Sequence, residues 1–264
     1  MDNYRWDEYR GYVREITWKG TMELKILALD TSNHPMGIAL VEDDRLMATT
    51  TLNMVRNHSV YVLPTIERLM ADLKWQPEDL DRVVVASGPG SYTGIRIATT
   101  TAKVLATTLD IELVAESSLK LLAANALPGD NRLLVPFFDA RRGTVFCGGY
   151  RYKEGKLETV MADHHEEMSD LLAKLADQEA PVILIGVVSP KLKTILASLP
   201  ANVSVAPASY AVPSAYQLAL LGKDGQPVAD PDTLVPSYLR ITEAEAQWQK
   251  QHPDQEPQEY VHEV

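Results

Sequence analysis

DRVVVASGPGSYTGIRIATTTAKVLATTL, residues 81 to 109, decides the fold. Its apolar run predicts a buried strand from Arg82 to Ser87, and Gly88-Pro89-Gly90 predicts a tight turn after it. A helix then opens with Ser91 or Thr93 as N-cap, because a hydroxyl there accepts from the first unpaired backbone N–H groups. A helix N-terminus at the carboxyl end of a strand can hold an anion, which makes Gly88, Gly90 and Ser91 candidate ligand-binding residues. The spacing fits no phosphate loop closely. Gly88, Gly90 and Gly94 give G-x-G-x-x-x-G, one residue longer than the dinucleotide fingerprint, and no Gly-Lys-Ser/Thr follows. Glycines that merely supply unusual backbone angles account for the spacing equally well.

Working outward, Leu24 to Asp30, Met36 to Glu42 and Arg45 to Asn53 read as three strands. A helix near Ser59 to Lys74, the central strand and helix, a strand at Ile111 to Ala115 and a helix at Ser117 to Asn125 complete a first unit. The pattern then starts again. Strands are predicted at Arg132 to Asp139, Gly143 to Tyr152 and Lys156 to Met161, a helix near Ser169 to Gln178 and a strand at Pro181 to Gly186. A helix at Pro190 to Leu199, a strand at Asn202 to Ala206 and a helix near Ser214 to Leu221 follow. Two βββαβαβα halves predict an α/β protein built from duplicated ribonuclease-H-like units, with a cleft between two lobes.

Asp30 ends the first strand of the first half, and Asp139 ends the first strand of the second. At equivalent strand ends they are candidates to hold a magnesium-bound nucleotide across the cleft, which would make the chain an ATPase or phosphotransferase. Asp-Thr-Ser and Asp-Ala-Arg are also good turn chemistry, so both acids fit simple strand-end turns. Arg141 and Arg142 fit an anion site or a solvated corner. Ser91, Ser117 and Ser118 lie near turns without a G-x-S-x-G elbow, and Cys147 reads as a small buried hydrophobe in a strand. Of the histidines, His34, His58, His164, His165, His252 and His262, none forms an i, i+4 pair. His164-His165 reads as a solvated loop, so no metal site is expected.

The chain has 264 residues, 45% of them hydrophobic, enough for a sizeable core. One cysteine excludes an internal disulfide and points to a reducing cytoplasm, and no run is long enough to span a membrane. A net charge of −11 argues against binding a nucleic-acid backbone unaided. Residues 1–21 read as a poorly ordered extension ahead of Met22, a candidate true start. Residues 241–264, with six acids and one lysine, read as a disordered tail.

LDTSNHPMGIALVE, RNHSVYVLPTI, GPGSYTGIRIATTTAKVLA, SSLKLLA, DARRGTVFCGGY and VPSYLR, in that order and spacing, resemble the TsaB (YeaZ) family from about Leu24 to Arg240. The resemblance implies an actin-like fold. It also implies a non-catalytic role in making N6-threonylcarbamoyladenosine (t6A) beside the anticodon of tRNAs reading codons that begin with A. The implied partners are a TsaD-like catalytic subunit, which carries the transfer and the metal, a TsaE-like ATPase, and tRNA through the complex. ATP and metal are then expected on the partners and none on the isolated chain; self-association of the chain alone is left open. In the catalytic paralogue an H-x-x-x-H metal pair follows the strand after the GPG helix, and the matching positions here are about Ser118 and Leu122. That substitution counts against a metallopeptidase, the remaining alternative.

Helical periodicity gives the GPG helix a sheet-facing stripe of Ile95, Ala98, Ala102, Leu105, Ala106 and Leu109. A second stripe, Ile97, Thr101, Val104 and Thr108, adjoins it, leaving Arg96, Thr100, Lys103 and Thr107 as the polar strip. The preceding helix shows a core stripe of Val62, Leu63, Ile66, Leu69, Met70 and Leu73, with Tyr61 and Arg68 on its far side. The resemblance implies that these two helices bundle with the partner, so Tyr61, Arg68, Ile97, Thr101, Val104 and Thr108 are the expected interface. The lobes are expected over 22–115 and 116–212, with 213–240 packing back on the first.

Overall fold

The computed structural model describes residues 23–53 and 57–239; the extension expected over 1–21 and the tail expected over 241–264 lie outside them. Strands β1 (Lys25–Asp30), β2 (Pro35–Glu42) and β3 (Arg45–Asn53) form an antiparallel meander. β4 (Arg82–Ala86) and β5 (Glu112–Glu116) add to it in parallel, giving the order β3-β2-β1-β4-β5. The second sheet contains β6 (Leu133–Asp139), β7 (Thr144–Lys153), β8 (Lys156–Glu167), β9 (Val182–Ile185) and β10 (Val203–Val205), in the order β10-β9-β6-β7-β8. Read from β8, the second sheet repeats the first strand for strand and sense for sense. The fold is therefore the duplicated, two-lobed actin-like α/β architecture.

Parallel neighbours need crossovers, which α1 (His58–Leu73) and α2 (Tyr92–Leu109) supply on one face of the first sheet. Leu27, Leu29, Ile38, Val83 and Val85 point to that face and pack against Val62, Ile66, Ala98 and Ala102. The alternate residues Ile26, Ala28, Ala39 and Val84 point to the other, where α6 (Ala215–Lys223) covers them with Ala215, Leu218 and Ala219. Burial on both faces explains why β2 is apolar at nearly every position. In the second sheet α4 (Met168–Ala176) and α5 (Pro190–Ile195) cover one face. The opposite face takes Leu119, Leu122 and Ala123 of α3 (Ser118–Ala123). The last helix of each unit thus packs on the sheet of the other, and the lobes are interlocked.

Three details differ from the sequence expectation. β8 runs on to Glu167 rather than stopping at Met161, so His164 and His165 lie on a strand and not in a loop. Leu63 is exposed, because Pro64 and its neighbours fall on the outer face of α1, and Thr65 takes the inward place. Leu105 is only partly buried; Thr99 completes the sheet-facing stripe instead. α1 also continues through Pro64, whose missing N–H lies on the exposed side of the helix.

α6 sits so close to the first sheet that a Cβ on Gly222 would come within 2.3 Å of Val84 Cγ1. Arg82 fixes the same end by donating from Nη1 to the Gly222 carbonyl at 2.8 Å. Gly222→Ala should therefore lower stability by about 1–3 kcal/mol through overpacking, despite the better helix propensity of alanine. A chemical denaturation midpoint equal to or above that of the unaltered chain would show that α6 does not dock this tightly.

Candidate functional site

The glycine turn after β4 is filled by the chain itself. Ser91 caps α2 by accepting from Gly94 N at 3.3 Å, while its own N–H donates to the Ser32 carbonyl at 2.7 Å. The Ser118 N–H donates to the Gly88 carbonyl at 2.9 Å, and the Gly88 N–H to Ser118 Oγ at 3.1 Å. Two of the donors that an anion would use, on Gly88 and Ser91, are already satisfied. A Cβ on Gly90 would lie 2.1 Å from the Ser32 carbonyl oxygen, on Gly94 2.0 Å from that of Thr31, and on Gly88 2.4 Å from that of Ser237. The glycines exist so that three segments of backbone can touch.

Beneath this contact lies Asp30. It is 1% exposed, accepts from the Ser32 N–H at 2.7 Å through Oδ1, and leaves Oδ2 buried without a hydrogen-bond partner. Burial holds its pKa above the usual carboxylate range, against the opposing pull of Ser32 and His58. Asp139 occupies the equivalent strand end in the second lobe in a different setting: it is exposed, and its Oδ1 accepts from the Arg141 N–H at 2.7 Å. Arg141 and Arg142 both have positive φ, so this corner is a tight turn tied down by its aspartate.

The expected interface residues divide by exposure. Val104 is 58% exposed and Tyr61 42%; Thr108 and Arg68 are also exposed, Arg68 donating to Thr50 Oγ1 at 3.2 Å. Ile97 and Thr101 are half-buried, and Ile97 packs on the core of the first lobe. The polar strip of α2 has a role that periodicity does not reveal: it receives the segment after α6. Lys103 Nζ donates to the carbonyls of Asp232 and Leu234 at 2.7 and 3.3 Å. Arg96 Nε donates to the Tyr238 hydroxyl at 2.8 Å, and its guanidinium lies 4.3 Å over the Tyr92 ring. A groove of about 300 Å³ lies beside this strap, lined by Thr100, Lys103, Val104, Thr107, Thr108 and Asp232.

A further group escapes the sequence reading. Cys147 Sγ on β7, His164 Nε2 and Glu166 Oε1 on β8 all lie within 4.8 Å of one another. The sequence reading, which expected no metal site, did not bring these three residues together. The register hides it. Lys153 pairs with Lys156 at the hairpin end, and regular pairing from there would set Ala162 opposite Cys147. Shifts around Gly149 advance the partner strand by two residues and bring in His164.

Comparison with known proteins fits this architecture. A family model described as "TsaD: tRNA N6-adenosine threonylcarbamoyltransferase" matches residues 46–248. A Bacillus subtilis protein named "tRNA threonylcarbamoyladenosine biosynthesis protein TsaB" is 43% identical over 226 residues, 85% of this chain and 98% of that protein. The chain belongs to the TsaB family. An Escherichia coli protein of the same name is 29% identical over 158 residues, 56% of this chain and 68% of that protein. The solved structure of YeaZ from Pseudomonas aeruginosa superposes with a TM-score of 0.71 at 24% identity, covering 82% of this chain and the whole of that one. That likeness supports the fold. Ser118 hydrogen-bonds the glycine turn, and Leu122 is buried in the second lobe.

Asp30 gives a pH-dependent test of the closed turn. Its folded pKa lies above the unfolded value, so its contribution to stability is full below the unfolded pKa and is lost as pH rises through the folded pKa. Asp30→Asn keeps the acceptor for Ser32 and removes the ionisation. The variant should melt at or above the temperature of the unaltered chain at neutral pH, with the difference shrinking as pH falls toward the ordinary carboxylate range. A variant that melts well below the unaltered chain at neutral pH, by a margin that shrinks at acid pH, would mean that the ionised carboxylate has a partner.

Proposed function

We propose that this chain is a non-catalytic subunit in tRNA t6A synthesis. It binds and supports a TsaD-like catalytic subunit that modifies the adenosine next to the anticodon in tRNAs reading codons that begin with A. Membership of the TsaB family and the match to a TsaD model support the pathway. The observation that carries the non-catalytic reading is the packed glycine turn, whose Gly88 and Ser91 N–H groups are bonded within the protein and whose neighbouring Asp30 is shut from solvent. An ATPase or phosphotransferase would need that corner open to phosphates and its carboxylate open to magnesium. On this reading ATP and metal for the transfer sit on the partners, among them a TsaE-like ATPase. The acidic chain approaches tRNA only within the complex.

The proposed contact is the outer face of α1 and α2. Val60, Tyr61 and Leu63 on α1 are 63%, 42% and 57% exposed, and Val104 lies on the second helix. Such a face costs little in solvent and is favourable to cover with a partner's helices.

Val104→Asp should abolish co-elution with a TsaD-like partner while leaving the melt of the isolated chain nearly unchanged, since exposed substitutions usually stay within about 0.5 kcal/mol. Ala102→Asp is the matched core change. Ala102 is fully buried, and an unpaired charge there costs several kcal/mol against a total of roughly 5–15. If Val104→Asp unfolds as Ala102→Asp does, or still co-elutes, the interface is wrong.

Mg-ATP separates the subunit reading from the phosphotransferase. Calorimetric titration of the isolated chain should show no micromolar binding. Micromolar binding that disappears in Asp30→Ala would establish a nucleotide site and overturn the non-catalytic assignment.

A further inference from the structure

The Cys147, His164 and Glu166 side chains converge on one point, and both edges from the sulfur have the length found around a tetrahedral metal ion. Cys147 Sγ lies 3.6 Å from His164 Nε2 and 3.7 Å from Glu166 Oε1. Zinc bonds of about 2.3 Å to sulfur and about 2.0 Å to nitrogen and oxygen put tetrahedral sulfur-to-nitrogen and sulfur-to-oxygen edges at about 3.5 Å. Two of the three edges are thus already set. The third, His164 Nε2 to Glu166 Oε1, is 2.5 Å and has to open by about 0.8 Å for an ion to replace the hydrogen bond.

The direction of the imidazole decides between a ligand set and a catalytic relay. In a relay the carboxylate holds one ring nitrogen and the thiol meets the other. Here thiol and carboxylate both meet Nε2, while Nδ1 lies 2.8 Å from the Ala162 carbonyl. A carbonyl only accepts, so Nδ1 carries a proton, and Nε2 is the ring nitrogen that meets the other two groups. Three donor atoms facing one another need a proton or a cation among them. Lys174 Nζ binds the second carboxylate oxygen, Oε2, at 2.6 Å and leaves Oε1 for the shared point. His164 is about one-third exposed, which gives an ion a way in, whereas Cys147 is fully buried.

We propose that Cys147, His164 and Glu166 bind one zinc ion, with water as the fourth ligand. Thiolate, imidazole and carboxylate together suit zinc, and the site lies on the second sheet, where Cys147 packs in the core with Met168 and Leu171 of α4. Binding replaces the thiol S–H bond by a zinc–sulfur bond and releases that proton to solvent. Burial and the Glu166 carboxylate push the Cys147 thiol up to about 12 in the free protein.

The full chain, stripped with chelator under a non-coordinating reductant, should take up one equivalent of zinc in competition with a chromogenic chelator. Cobalt in its place should give a thiolate-to-metal charge-transfer band. Cys147→Ser should remove the band, and His164→Gln should weaken zinc binding by about tenfold or more. His164→Gln changes a side chain about one-third exposed, so it decides the matter even where Cys147→Ser fails to fold. Absence of uptake by the unaltered chain would mean that the three groups hold only an imidazolium–carboxylate pair. Uptake that is equal in His164→Gln, or carries no charge-transfer band, would place the metal elsewhere. Either result overturns the proposal.

Discussion

Backbone-to-backbone contact between the end of β1 and the turn that opens α2 is the constraint on which the first lobe depends. The Thr31 and Ser32 carbonyls lie where any Cβ on Gly94 or Gly90 would stand. Thr31 Oγ1 seals the contact from its other side by donating to the Gly94 carbonyl at 2.6 Å. Polar main chain can be buried this closely only if its groups are paired, and here the Ser91 N–H pairs with the Ser32 carbonyl. The contact sets where α2 begins. It also draws in two later elements: Ser118 of α3 bonds Gly88, and the Ser237 N–H donates to the Ser87 carbonyl at 2.8 Å. One crowded corner thus fixes the first sheet, the link to the second lobe and the path of the strap after α6.

How legible this was depends on the range of the interaction concerned. The inner strands and their grouping follow from continuous apolar runs between turn residues, because β1, β2, β4 and β6 are buried on two faces. The repeat of the strand pattern carries the duplication. Exchange of the last helices between sheets is not encoded by periodicity, since an amphipathic helix specifies that it has a buried face and not which sheet covers it. The same limit explains the polar strip of α2. Arg96, Thr100, Lys103 and Thr107 read as solvent-facing, yet Arg96 and Lys103 anchor a segment about 130 to 140 residues later in the chain.

Candidate site residues show the same division. Gly88, Gly90 and Ser91 were identified by local turn chemistry, and the structure places them together at one corner. Glycines gather at this corner as they do in a phosphate loop, although at a different spacing, because both uses need a backbone without side chains. The difference lies in what approaches: a ligand in one case, the DTS segment and Ser237 in the other. Asp30 and Asp139 are equivalent by topology but not by environment. The first lobe closes over its strand end, and the second leaves its own in an exposed turn. The Cys147–His164–Glu166 group was illegible for a narrower reason. Hairpin register counted back from the turn fails at the irregularity around Gly149, and a two-residue slip changes which side chain faces Cys147.

The strap after α6 also determines how much of α2 is left for a partner. The sheet takes Ile95, Ala98, Ala102 and Ala106, and the strap takes Arg96 and Lys103. Val104 and Thr108 lie between these claims, at the edge of the groove bounded by Asp232. Val104 is exposed because the strap runs beside it and not over it. Arg96, stacked on Tyr92 and bonded to Tyr238, anchors the strap next to the α2 N-cap, while Lys103 holds two carbonyls farther along. A segment fastened at two points along one helix loses little further conformational entropy when a third body packs against it. The polar rim of an α1–α2 interface is therefore preformed on the strap side, and on the proposed reading a catalytic subunit would meet an apolar strip whose border is already ordered.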